Sequence, residues 1–553
     1  MPLLTGAQAL VQCLREEDVE FIFGVPGGQT LSVMDVLFTT PAIRFVTARH
    51  EGAAGHMADA YGRVTGKPGL CLVTTGPGAT NLLTGIGGAL RDSSPVIAIT
   101  VNNRDVNIGW DDNQDADHVA IFRSLTKSSR FVPDAEGLPR AIRDAFRQAL
   151  TGNPGPVHLD FARNALEEGA IALESRQPAR YRPEHPPIGA PEAVAAAASA
   201  LLAAERPLIW VGKGALLANA GEAVLALAQA LSAPVITTYN GIGAVPATDR
   251  HVFGPRSRNG TALTRHLVAE CDAILAIGNS LNAPTTSRWR LPLPERLIQV
   301  DLDPAVIGRN YPVDEAVIGD ARAVTEQLLA AIAILPDANK EARAAWLAQA
   351  GEARGAWEAR MAAAADSNAV PIKPQYLMRE VAALIDDHTT VVADAGNPGI
   401  WSHLLPICRP RAYMKPVGFG NMGFGLPAAI AAKLARPHER VLLLVGDGSL
   451  GMSLAEIETA VREETPIAIV VLNDLSYGNI KQEQLHLFGP RYIGVDFRDV
   501  DYAGVARAMG ADGERVEQPA DLAPALRRAI TAETPYLLDV LIDPRENVWE
   551  DPI

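Results

Sequence analysis

Short and almost wholly apolar runs punctuate the chain, each ending in glycine or a polar residue. Phe21-Ile22-Phe23, Leu70 to Val73, Leu208 to Val211, Ala273 to Ile277, Leu442 to Val445 and Ile467 to Leu472 all follow this form. Runs so short, with no alternation of polar positions, predict strands buried on both faces, as in parallel sheets. Longer alanine-rich or charged segments between them predict helices. Thr5 with Gln8, ahead of Ala9, Leu10, Val11 and Leu14, has the capping-box pattern of a helix start. The alternation predicts an α/β fold of three doubly wound parallel-sheet domains, at 1–170, 190–335 and 372–553. A Pro-rich stretch from Gln177 to Pro191 reads as the first linker, and the Ala/Glu/Arg-rich residues 335–372 as a helical connector.

Composition narrows the class. A chain of 553 residues is too long for one core and fits about three domains. A net charge of −15 argues against nucleic acid or an anionic membrane as partner. It leaves an anionic small substrate open, because a local site can oppose the global sign. No apolar run approaches the ~18 residues of a membrane span, and the opening residues lack a signal-peptide pattern. The four cysteines, Cys13, Cys71, Cys271 and Cys408, show no metal-type spacing. A soluble, cytoplasmic protein with reduced thiols is expected.

The densest chemistry lies between Leu442 and Tyr477. Two predicted strands ending in Gly446-Asp447-Gly448-Ser449 and Asn473-Asp474 flank a helical run from Met452 to Glu463. In a βαβ unit both parallel strands finish on one sheet edge, so Asp447 and Asp474 meet although 27 positions apart (474 − 447). Hard oxygen ligands beside a glycine turn and a helix N-terminus suit Mg²⁺ carrying a diphosphate. Solvated aspartates at an ordinary strand-turn-helix are the plain alternative. Glu51 ends another strand and heads an Ala/Gly-rich helix, where a glutamate is also simply favoured by the helix dipole.

Together these motifs resemble the thiamine-diphosphate enzymes, in the acetolactate synthase and pyruvate oxidase group. The likeness rests on Gly446 to Ser449 with Asn473-Asp474, on His50-Glu51 through Tyr61-Gly62-Arg63, and on Gly418 to Pro427. It implies thiamine diphosphate and Mg²⁺ as cofactors, with Asp447, Asp474 and the Ser476 carbonyl on the metal. Gly446, Gly448, Ser449, Tyr477, Gly478, Asn479 and Asn397 would cradle phosphates; Gly27 and Asn81 would lie on the cofactor as well. Gly420 would offer its carbonyl to the cofactor's amino group, and Met422 would wedge between its rings. Glu51 would drive proton loss from the reactive carbon, and Gln114 would reach the bound intermediate. Lys127 reads equally well as a functional residue or as part of a polar surface loop.

The implied reaction is decarboxylation of pyruvate or a similar 2-oxo acid, with transfer of the remaining unit to an acceptor. A decarboxylase, or an acyltransferase acting on a sulfonated or other anionic aldehyde, is the alternative. Active sites shared between subunits of a homodimer or dimer of dimers are implied too. Some residues depart from the pattern. Asn397-Pro398 replaces the usual Gln-His, and Pro398 has no donor. Arg258-Asn259-Gly260 replaces a Met-His-Gly loop; at Asn397-Pro398, and at Gly254-Pro255 with Asn259-Gly260, the chain is more similar to sulfoacetaldehyde acetyltransferases. FAD in the central domain is possible but not favoured: Gly212-Lys213-Gly214 fits strand-helix packing, and Arg256 and Arg258 suit an anionic group.

Overall fold

The computed structural model describes residues 3–169, 171–182, 185–256, 260–546 and 548. These residues form three six-stranded sheets and one two-stranded ribbon. The central pairs Pro207–Val211 with Ala273–Ile277, Thr389–Ala393 with Arg440–Gly446, and Phe21–Val25 with Gly69–Thr74 are parallel. The first sheet has the order Arg44–Thr47, Phe21–Val25, Gly69–Thr74, Val96–Asn102, Pro156–Ala162, Ser128–Val132. The second runs Val252–Pro255, Val235–Thr237, Pro207–Val211, Ala273–Ile277, Arg296–Asp301, Glu315–Ile318. The third runs Tyr413–Met414, Thr389–Ala393, Arg440–Gly446, Ala468–Asn473, Tyr536–Leu541, Asp512–Val516. Central strands such as Val96–Asn102 and Ala468–Asn473 are buried at every position, the physical reason for their unbroken apolar sequence.

In a doubly wound sheet a crevice opens beyond the carboxyl ends of the strands, where the winding reverses. In the first sheet that point lies between Phe21–Val25 and Gly69–Thr74; in the third, between Thr389–Ala393 and Arg440–Gly446. In the second it lies between Pro207–Val211 and Ala273–Ile277. There Gly212 and Gly214 lie against Gly278: a Cβ on either would come within 2.2 and 2.6 Å of its backbone. These glycines are spent on close packing.

The first and third sheets share a core. Helix Glu51–Thr65 is buried over most of its length and packs on both Pro77–Arg91 and Gly425–Ala435. Its alanines and glycines permit this: a Cβ on Gly85 would sit 2.7 Å from the Gly55 backbone. One apolar cluster holds Met57 and Leu82 of the first unit with Phe424, Ile430 and Leu443 of the third. Arg63 pins the seam, donating to Asp59 (2.8 and 2.6 Å), to Asp92 (2.9 Å) and to the Lys415 carbonyl (2.8 Å).

Thr5 and Gln8 form the reciprocal capping box expected. The run expected as one helix from Met452 to Glu463 is instead two, Asp447–Ser453 and Glu456–Arg462. The first turn starts at once where the strand ends, and the break seats buried Glu456 to accept the Arg49 N–H at 3.0 Å. All four cysteines are free, and Cys13, Cys71 and Cys271 are buried. Among the described residues no helix is long and apolar enough to cross a membrane.

Candidate active site

Three helix N-termini converge at the switch point of the third sheet. Asn397–Trp401, Asp447–Ser453 and Gly478–Phe488 each begin where a strand or its turn ends. Closeness here depends on missing side chains. A Cβ on Gly478 would fall 1.9 Å from Asp474 Oδ2 and 3.2 Å from Asn397 Nδ2. One on Gly448 would meet the Tyr477 ring at 2.6 Å, and one on Gly446 would reach Pro398 at 3.6 Å. Asn479 Nδ2 donates to Asn397 Oδ1 at 2.9 Å, so both amides line the same mouth. Uncapped N–H groups at helix starts favour anions.

Asp447 and Asp474 meet beneath this mouth. Burial, and then the neighbouring Asp474 carboxylate, push Asp447 up to about 7. Burial raises Asp474 to about 6, against bonds from the Ser476 hydroxyl and N–H, each 3.1 Å from Oδ1. Leu475, at φ 57°, makes the left-handed step that turns the Ser476 main chain back onto Asp474. Two buried carboxylates that repel each other, with no salt bridge to a basic side chain among the described residues, suit a shared cation. Also among the described residues, no group of three or more His, Cys, Asp or Glu side chains forms such a site. A metal here would therefore draw further oxygens from main chain and ligand, as Mg²⁺ commonly does.

Glu51 stands at the other candidate centre. It opens helix Glu51–Thr65 after His50, whose ring accepts the Gly52 N–H at 3.0 Å. Asn81 Nδ2 donates to Glu51 Oε2 at 3.0 Å, and a Cβ on Gly78 would lie 3.7 Å from Oε1. Asn81 and Gly78 belong to helix Pro77–Arg91, which follows the switch-point strand of the first sheet. Gly27, at the other side of that switch point, crowds Thr74: its Cβ would come within 2.6 Å. Within one chain, no hydrogen bond joins Glu51 to the Asp447–Asp474 pair among the described residues.

The loop leading into Gly425–Ala435 runs along helix Pro77–Arg91. A Cβ on Gly87 would meet the Phe419 ring at 2.9 Å, and Asn421 Nδ2 lies 3.4 Å from His56 Nδ1. Gly420, at φ 70°, is open to solvent, and Met422 is half-buried. Gln114 is exposed and left-handed at φ 61°, with its carbonyl 3.2 Å from Thr75 Oγ1. Lys127 donates to the carbonyls of Thr151 (2.7 Å) and Asn153 (2.8 Å), a loop clamp. Arg256 is buried with Nε and Nη1 unpartnered among the described residues, and burial lowers it to about 10. Arg258 and Asn259 lie outside the described residues.

Sequence reasoning passed over two supports. Asp394, wholly buried and raised to about 6 by desolvation, accepts the N–H groups of Ala395 (2.7 Å) and Gly425 (2.8 Å). It ties the Asn397 turn to the helix behind Met422; its signal was an acid ending an apolar strand. Asn473 Nδ2 donates to buried Asp539 Oδ1 at 2.8 Å, fixing the strand that delivers Asp474. That pairing crosses 66 positions and leaves no local trace.

Three parallel-sheet units, with acidic and glycine-rich turns at two switch points, define a class of α/β enzyme built on thiamine-pyrophosphate-binding domains. Residues 4–121 match the N-terminal TPP binding domain of thiamine pyrophosphate enzymes, 194–328 the central domain and 394–540 the C-terminal TPP binding domain. A probable acetolactate synthase large subunit of Methanocaldococcus jannaschii is 35% identical over 98% of this chain and 93% of its own length. The large subunit from Haemophilus influenzae is 34% identical, and that of Escherichia coli isozyme 3 is 33% identical, each over 99% of this chain and 96% of its own. The chain belongs to the acetolactate synthase large-subunit family of thiamine pyrophosphate enzymes.

Proposed function

We propose that the protein is a Mg²⁺-dependent carboligase that decarboxylates pyruvate or a similar 2-oxo acid and passes the remaining unit to an acceptor. The observation that carries this reading is the buried, mutually repelling pair Asp447 and Asp474 beneath three converging helix N-termini. The residues fit the group: Asp447, Asp474 and the Ser476 main chain would hold the metal. Gly446, Gly448, Ser449, Tyr477, Gly478, Asn479 and Asn397 would hold the diphosphate, their N–H and amide donors facing it. Thiamine diphosphate, when bound, supplies the carbon nucleophile and the electron sink that lets CO₂ leave.

The protein's own part is positional and acid–base. Glu51, held by Asn81, would share a proton with the pyrimidine ring nitrogen, a transfer worth roughly 10²–10⁴ in rate. Met422 and the Gly420 carbonyl would fix the ring pair. Gln114 would orient the acceptor. Among the described residues Glu51 has Asn81 as its side-chain partner and no hydrogen bond to the carboxylate pair of its own chain, which fits a homodimer whose partner supplies the opposing half. Exposed Phe419, Met452, Leu487, Phe488 and Ile493 would gain cover at such a contact. Incubation with pyruvate, Mg²⁺ and thiamine diphosphate tests it: acetolactate is expected, and its absence together with acetaldehyde marks a decarboxylase. Arg256, with two nitrogens unpartnered among the described residues, and donor-free Pro398 favour a second reading, transfer involving an anionic or sulfonated aldehyde, which the same incubation with a panel of such aldehydes decides.

A further inference from the structure

Beneath the Gly76 turn, in the core of the first sheet, lies a polar network that includes none of the residues placed on the metal or the cofactor. Thr100 and Asp160 are cross-strand partners, and both are buried. Asp160 accepts from Thr100 Oγ1 at 2.6 Å and from Asn102 Nδ2 at 2.9 Å; its Oδ1 lies 2.9 Å from His118 Nδ1. His118 is wholly buried at the head of His118–Phe122. Its other nitrogen, Nε2, takes the Gly76 N–H at 3.0 Å. A main-chain N–H can only donate, so Nε2 is the acceptor and the ring proton sits on Nδ1, given to Asp160. A carboxylate thus orients an imidazole whose free lone pair grips the backbone.

That backbone is the floor under Gln114. Gly76 has φ 59°, and a Cβ there would lie 2.6 Å from the Gln114 carbonyl oxygen. Thr75 Oγ1 has one proton and three acceptors: Gln114 O at 3.2 Å, Asn102 Oδ1 at 3.3 Å and His118 Nε2 at 3.3 Å. Because Gly76 already occupies Nε2, the hydroxyl is left to Gln114 and Asn102. Gln114 itself is held left-handed, a conformation that residues with a Cβ rarely adopt.

We propose that His118 and Asp160 are a positioning pair that locks the Thr75–Gly76 turn, fixes the strained Gln114 main chain and so governs the acceptor step. The last clause rests on the role proposed above for Gln114; the hold on the turn does not.

Full-length Thr75→Val, His118→Leu and His118→Gln variants test it with two readouts. In hydrogen–deuterium exchange, His118→Leu is expected to speed exchange at the Gly76 amide and around 112–117 by about tenfold while the other strands of the sheet stay protected. His118→Gln, which restores an acceptor, is expected to recover part of that protection. Unchanged exchange in His118→Leu, or exchange raised equally across the whole sheet, overturns the pair's hold. In turnover of pyruvate, Thr75→Val and His118→Leu are expected to shift product from acetolactate toward acetaldehyde by about tenfold, with CO₂ release kept within about twofold. A fall in both products at constant ratio overturns the link to the acceptor step. A wild-type protein that releases no CO₂ from any 2-oxo acid refutes the reading of Gln114 instead, and the exchange result still decides the pair. Should His118→Leu not fold, Thr75→Val and His118→Gln carry both readouts.

Discussion

Arg63 offers the sharpest test of how the two cofactor-type domains are joined. Its side chain is 13% exposed, whereas those of Asp59 and Asp92 are 0% and 1% exposed. The two acids do not depend on it equally. Asp92 also accepts from Asn240 (2.7 Å), the Val417 N–H (3.1 Å) and the Gly418 N–H (2.8 Å). Among the described residues Asp59 has only Arg63 as an ionic partner, and burial already raises its carboxyl above the usual range. Arg63→Ala therefore strands one buried carboxylate, removes the bond to the Lys415 carbonyl and uncovers the Phe424 ring, 5.0 Å beneath the guanidinium. Loss of one partner of a buried pair costs about 3–5 kcal/mol. At about 2–4 °C per kcal/mol for domains of this size, the thermal midpoint is expected to fall by roughly 6–20 °C. In the variant, folded Asp59 holds a proton that the unfolded chain releases above about pH 4, so the penalty grows as pH rises. Melting at fixed protein concentration, at pH 5 and pH 8, measures this. Asp59→Asn with Arg63→Met removes both charges and is expected to regain most of the loss. A midpoint drop below about 2 °C, or no recovery in the double variant, would refute the reasoning.

Glu51→Gln is expected to cut turnover by roughly 10²–10⁴ with thiamine diphosphate affinity kept, read by steady-state kinetics and calorimetry. Gly478→Ala drives a methyl into Asp474, 1.9 Å from Oδ2, and is expected to weaken cofactor binding at least about tenfold, read by titration of the apoprotein. Asp447→Asn relieves the buried carboxylate pair, so the cofactor-free protein should melt higher while Mg²⁺-dependent cofactor binding is lost; a lower melting point would count against the pair's repulsion. Burial lowers Lys415 to about 7, so above that pH the folded chain binds fewer protons than the unfolded one and stability rises with pH. Lys415→Met is expected to flatten that rise by up to about 1.4 kcal/mol per pH unit between pH 7.5 and 9.5, in denaturant titrations.

Much of the fold was local information. Strands buried on both faces must be apolar throughout, so Leu442 to Val445 and Ile467 to Leu472 announced themselves, and glycines marked their ends. The meeting of Asp447 with Asp474 also followed from sequence, because a right-handed βαβ unit puts both strand ends on one edge. Lys127 was less legible: its clamp on Thr151 and Asn153 depends on where a distant loop returns. The helix break after Ser453 was hidden for the same reason, since it seats Glu456 against Arg49 from another sheet. Asp394 on Gly425, Asn473 on Asp539 and His118 between Gly76 and Asp160 link residues 31 to 66 positions apart. Periodicity and turn chemistry fix which segments become strands and helices, because those depend on near neighbours. Which buried polar group finds which partner is decided only when the sheets close and water is gone, because an unpaired group is costly there and nowhere earlier.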